Sequence, residues 1–135
     1  MKYIQLFIIS IFFLLPIASN AFPIPDDNEV SFDVIRKNKV IGNLTSKFIK
    51  DEEDIVLHSV LDINVKILFI PAYKFFQETK ETWRNGEFIS IDGFTDFEDD
   101  REYKIDGKDE DGVFRVTGMD GLLELDEKII PLNYW

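Results

Sequence analysis

The sequence predicts an all-β protein, a curved antiparallel meander or open half-barrel of about six to eight strands behind a cleaved signal peptide. Three observations carry that reading. Apolar side chains recur at every second position over long stretches. Past the N-terminus, no run of about ten residues keeps the 3.6-residue period of an amphipathic helix. Clusters of Gly, Asn and Asp punctuate the chain at short intervals, as hairpin turns require.

The N-terminus is set apart from this pattern. Lys2 supplies a positive end, residues 3–15 are apolar except for Gln5 and Ser10, and Pro16 follows. Ser19 and Ala21 then place small residues three and one before a cut, the layout of a secretory signal peptide cleaved between Ala21 and Phe22. As a helix the apolar run rises only about 20 Å, short of the ~30 Å hydrocarbon core, so no membrane span is expected after cleavage. With no Cys in the chain there is no lipoprotein attachment, disulfide, iron–sulfur cluster or thiol nucleophile. An exported chain without Cys fits the periplasm or extracellular space of a bacterial envelope. Its 135 residues suffice for one core, and 45% hydrophobic content is too high for a disordered tail. A net charge of −11 excludes nucleic-acid binding by phosphate neutralisation.

Residues 22–28 form a Pro-punctuated leader, expected to be extended. Val30, Phe32 and Val34 alternate with Ser31, Asp33 and Ile35 as a half-buried strand. A turn at residues 37–39 leads to a strand over 40–49, in which Gly42 marks a bulge or a close backbone approach. After an acidic turn at 51–54, Ile55, Leu57, Leu61, Ile63, Val65, Ile67 and Phe69 hold every second position, Ser59 being the one break. So long a strand implies strong twist or a bulge near Ser59, and Pro71 should end it. The next strand covers 73–83. Asn85-Gly86 then suits a tight turn with positive φ at both central residues, pairing Trp83 and Arg84 with Glu87 and Phe88. The partner strand runs over 87–94, an acidic turn follows at 96–100, and a short strand covers 101–105. Residues 106–112 read as a loop with two glycines. Val113, Arg115 and Thr117 alternate with Phe114 and Val116, residues 118–121 turn, and 122–125 make a last short strand.

Catalytic chemistry has little to work with. There is no G-x-S-x-G elbow, and the lone imidazole, His58, sits on a mixed strand face between Val56 and Val60, the setting of a partly packed surface histidine. Calcium loops of the EF-hand type fail on spacing. Counting from Asp106, position three is Lys108; from Asp109, position five is Val113; from Asp96, position six is Arg101. The acidic loops are therefore read as solvated turns, with no metal, cofactor or catalytic residue assigned. Asn43-Leu44-Thr45 matches a glycosylation acceptor only by a short pattern inside a strand. What remains is an aromatic excess spread over successive strands. The first explanation is sheet core; the sharper one is a concave apolar face for a lipophilic ligand, with Tyr73, Phe75, Trp83, Phe88 and Phe114 as its binding residues.

The order of features also resembles a family of exported bacterial proteins. It runs through Phe32-Asp33-Val34-Ile35-Arg36, Val40-Ile41-Gly42, the strand over 60–70, and Pro71-Ala72-Tyr73. It continues in Glu81-Thr82-Trp83-Arg84-Asn85-Gly86-Glu87-Phe88, Thr95 and Val116-Thr117-Gly118-Met119-Asp120-Gly121. The chain resembles the domain-of-unknown-function family numbered 6134 over nearly all of its length after the leader. The Glu-x-Trp-x-x-Gly hairpin is the most specific piece. The resemblance brings no activity and no site residues. It implies a longer protein, with further strands after a Trp near the place of Trp135, so this chain is expected to be either a natural short form or a truncated one, the last strand being an exposed edge if it is truncated. The functional expectation is a non-enzymatic envelope protein holding a lipophilic molecule on its sheet. The alternative is a structural or interaction module that pairs with an envelope protein through an edge strand. Oligomeric state is not readable.

Overall fold

The computed structural model describes residues 24–68, 70–99, 101–125 and 129–131. The expected signal peptide lies outside them. Eight strands follow in chain order: β1 (Glu29–Arg36), β2 (Lys39–Asp51), β3 (Asp54–Ile67), β4 (Ile70–Arg84), β5 (Glu87–Phe97), β6 (Glu102–Glu110), β7 (Val113–Gly118) and β8 (Gly121–Leu125). They form one open antiparallel sheet whose spatial order is the sequence order, with β1 and β8 at its two edges. The described part of the leader is not extended: the Asn28 amide donates to the Pro25 carbonyl at 3.0 Å, and the Asn28 carbonyl accepts from the Phe48 amide at 2.8 Å. That turn clips the leader to β2.

Register explains which residues share a face. Successive side chains alternate sides, so paired residues and their i±2 neighbours lie together. One face carries Phe48, Leu57, Trp83, Phe88 and Phe114, all buried. Trp83, Phe88 and Phe114 form its densest part, with ring centroids 5.1 Å apart from Trp83 to Phe88 and again from Phe88 to Phe114. Ile55, Ile91, Val116 and Ile129 pack around them. Ile129 and Pro131 follow β8, so the chain returns over this face after the last strand.

Three register shifts shape the sheet, at Val34/Ile35, Val65/Lys66 and Thr82/Trp83. The third matters most for the core. Thr82 pairs with Ser90 but Trp83 pairs with Phe88, leaving Ile89 as the extra residue. Strict alternation would put Phe88 on the side of Ser90 and Asp92; the bulge turns it onto the side of Trp83 and Ile91.

Several expectations need correction. No bulge occurs at Ser59, where β2, β3 and β4 pair without a break. Pro71 does not sit beyond a strand end: β3 stops at Ile67 and Pro71 lies inside β4 beside a register shift. Proline is tolerated there because, among the described residues, that stretch of β4 has no strand neighbour on its other side. Residues 106–110 belong to β6 and not to a loop. Gly107 is buried because the space of a side chain is taken by Phe114, whose Cε1 would lie 2.7 Å from a Cβ. The Asn85-Gly86 hairpin is as read, with φ of 52° and 79° and Arg84 opposite Glu87.

Asp54 opens β3 and Arg84 closes β4, and they face each other in register. Arg84 Nε donates to Asp54 Oδ1 at 2.7 Å and Nη2 to Oδ2 at 2.9 Å. These bonds hold the Asp54 carboxyl below its ordinary value of 3.8, against the opposing pull of desolvation. A carboxyl whose folded-state pKa is depressed contributes stability above its unfolded value and loses it as pH falls through the lower folded value. Asp54→Asn is therefore expected to flatten the decline of the urea midpoint below about pH 4. An acid limb superimposable on that of the wild type would contradict this.

Candidate functional site

A row of small residues crosses the middle of the core face. Ser46 of β2 pairs with Ser59 of β3, Ser59 with Thr79 of β4, and Thr79 with Gly93 of β5. Rows of larger side chains flank it. Leu44, Leu61 and Gln77 run on one side, and Phe48, Leu57, Glu81 and Ile91 on the other. A small row between two tall ones leaves a depression, and the structure holds a cavity of about 260 Å³ there. Leu44, Leu61, Ile91, Ile105 and Pro131 give it apolar walls. Ser46, Ser59, Gln77, Thr79 and Glu81 supply polar atoms. Pro131 places the segment after β8 at the cavity's margin.

The polar part is ordered by its own hydrogen bonds. Ser46 is 1% exposed and its Oγ lies 2.8 Å from that of Ser59. Gln77 Nε2 donates to Thr95 Oγ1 at 3.3 Å. Glu81 is 3% exposed, and its Oε2 accepts from Trp83 Nε1 at 3.1 Å. A carboxylate this deep is costly to bury without such donors. The physical content of the Glu81-x-Trp83-x-x-Gly86 pattern is now visible. Residues two apart on a strand share a face, so the tryptophan both fills the core and donates to the glutamate, and the glycine turns the hairpin.

Of the five aromatic candidates, none lines this cavity. Trp83, Phe88 and Phe114 are brought together, but against one another as core. Phe75 lies at the other end of the same face, packed edge-on against Phe97 at 5.0 Å, with Tyr103 5.5 Å from Phe97. Tyr73 is 40% exposed near the β3–β4 turn. His58 lies on the opposite face, where its Nε2 is 2.6 Å from Glu78 Oε1. Asn43 is tied into the β1–β2 ladder, donating to Ser31 Oγ at 2.9 Å and to the Phe32 carbonyl at 3.2 Å. Among the described residues no three His, Asp or Glu side chains converge as metal ligands would.

The polar lining of the cavity escaped sequence reading. Its one signal was Ser59, the break in the β3 alternation; the row it belongs to exists only once register is known.

The family model described as Domain of unknown function (DUF6134) matches residues 32–135. The chain belongs to this family. No curated protein and no solved structure matches it. In this member of DUF6134, the Glu81-x-Trp83-x-x-Gly86 hairpin sets a buried carboxyl group beside a cavity.

Proposed function

We propose that this protein is a non-enzymatic binding protein of the bacterial envelope that holds a small lipophilic molecule with one polar group. The observation that carries the reading is the cavity on the core face, apolar at its walls and hydroxyl-rich along its central row. Its volume, about 260 Å³, lies just below the roughly 300–1,000 Å³ of drug-sized sites. That volume fits a small amphiphile or one segment of a longer chain. The hydroxyls of Ser46, Ser59 and Thr79 can each donate and accept, so they suit a hydroxyl, amide or carboxyl head. Ser46 and Ser59 bond each other and Glu81 accepts from Trp83, which leaves a lining ordered by its own bonds, and binding is the simpler use of such a site.

Native mass spectrometry of the protein purified from its own cells tests this. The expected result is a monomer carrying a co-purified apolar mass, lost in Thr79→Leu, which fills the central row, while circular dichroism stays unchanged. A second reading has its own support: Leu122, Leu123 and Leu125 of the edge strand β8 are 61%, 55% and 37% exposed, the surface an edge-pairing module would offer. A ligand-free dimer in the same spectrum would reject the carrier reading and favour that one.

A further inference from the structure

The β3–β4 hairpin outgrows the sheet. Pairing of β3 with β2 ends at Ile63, opposite Gly42, and pairing of β4 with β5 ends at Phe75, opposite Phe97. A bond from the Glu98 amide to the Lys74 carbonyl, 3.1 Å, is the last tie on the β5 side. Among the described residues, 64–67 and 70–74 have only each other as strand partners. They make a two-stranded ribbon reaching about 13 Å past its neighbours. Such a ribbon is marginal in water by itself. This one also exposes Ile67 by 62%, Leu68 by 86% and Ile70 by 68%.

Leu68 breaks two local rules at once. Its φ is 49°, in the left-handed region that bulky side chains avoid. The other described non-glycine residues with positive φ are Asn28, Lys37, Asn38, Glu52, Asn85 and Asp111, all polar. Leu68 thus takes a backbone conformation suited to Asn while its side chain meets solvent. A strained position with no packing return points to a use outside the fold.

Charge says what that use is. From Ile63 to Gln77 the chain has two lysines, Lys66 and Lys74, and no acid, although its net charge is −11. Both lysines are exposed, Lys66 beside the apex opposite Pro71 and Lys74 at the base opposite Asn64, and Tyr73 lies between Lys74 and the apex. An apolar apex with an aromatic ring and two basic side chains behind it carries the groups that suit the acyl chains, headgroup boundary and phosphates of a lipid surface. We propose that the β3–β4 tip is an anchor for anionic lipid surfaces. Ile67, Leu68 and Ile70 enter the acyl boundary, Tyr73 rests at headgroup level, Lys74 faces the phosphates, and Lys66, nearer the apex, extends its long stem back to reach them. This rests on the ribbon alone and not on the cavity.

Because the chain has no Cys, a single label reports position. Full-length protein with Ala72→Cys carries an environment-sensitive nitrobenzoxadiazole dye at the tip; Asp111→Cys carries it in the β6–β7 turn, at the opposite end of the sheet. Phosphatidylcholine vesicles containing phosphatidylglycerol are expected to blue-shift the tip label and leave the other unchanged, with a weaker response to phosphatidylcholine alone. Leu68→Asn, which suits the backbone, should keep or raise the melting temperature while weakening partitioning about tenfold. Thr79→Leu should leave the tip response intact, which separates this proposal from the carrier reading. An unresponsive tip label, equal responses at both positions, or unchanged partitioning of Leu68→Asn would each overturn it. So would a tip label that responds to envelope protein but not to vesicles.

Discussion

Gly42→Ala is expected to destabilise the fold by about 3 kcal/mol or more, at the upper end of what overpacking costs. A Cβ at that position would stand 2.2 Å from the Asp62 carbonyl oxygen and 2.9 Å from the Ile63 Cα. Both obstacles are backbone, so no rotamer change relieves them and β2 must move away from β3. That junction cannot open cheaply, because a few residues further along it brings Phe48 and Leu57 together, both buried. Gly118 is the matched control: a Cβ there meets nothing within 4 Å, and its φ is not positive. Gly118→Ala should change stability by no more than about 0.5 kcal/mol. Urea unfolding of the two variants beside the wild type decides the matter. With a slope of about 1–3 kcal/mol/M, the Gly42 variant should lose at least about 1 M from its midpoint. Equal midpoints for the two alanine variants would show that β2 and β3 are not held as closely as the register implies.

The same glycine illustrates what was legible. Alternation and turn residues are local signals, so β3, the Asn85-Gly86 hairpin and the paired Trp83 and Phe88 were open to a reader with no coordinates. Gly42 could be marked as special, since a glycine inside a strand has few ordinary reasons to be there. The misreadings share one cause, which is that bulges and burial depend on the neighbouring strand. Gly107 resembles a loop glycine until Phe114 is found above it. Ile89 gives no sign of being the extra residue that puts Phe88 on the core face. The cavity was hidden for the same reason: Ser46, Ser59, Thr79 and Gly93 are scattered over the chain and become a row only across the register. Aromatic content pointed elsewhere, because stacking is the cheapest way to bury large rings and three of the five candidates bury one another.

Trp83 should be the most sensitive side chain in the core. It is 7% exposed, packs on Phe88, and supplies the indole donor to buried Glu81. Trp83→Ala is expected to cost about 3–5 kcal/mol from lost packing and the cavity left behind. Trp83→Phe separates the two contributions, since a ring still meets Phe88 but Glu81 loses one donor. That loss should cost about 1–3 kcal/mol, in line with removing a hydrogen bond from a buried polar group. Glu81→Gln alone should cost less, because the amide oxygen can still accept from the indole. In the double variant Trp83→Phe with Glu81→Gln the penalties should fall short of their sum by about 1 kcal/mol, the mark of two residues sharing one interaction. Strict additivity in a urea-unfolding cycle would mean that the indole bonds the acid no more strongly than it bonds the amide that replaces it. The Glu-x-Trp pattern would then draw no added stability from the acid itself. If the coupling is found, the hairpin that turns at Gly86 does two jobs with one pair of side chains. It closes the densest part of the core, and it fixes a carboxylate at the edge of the cavity where the proposed ligand would rest.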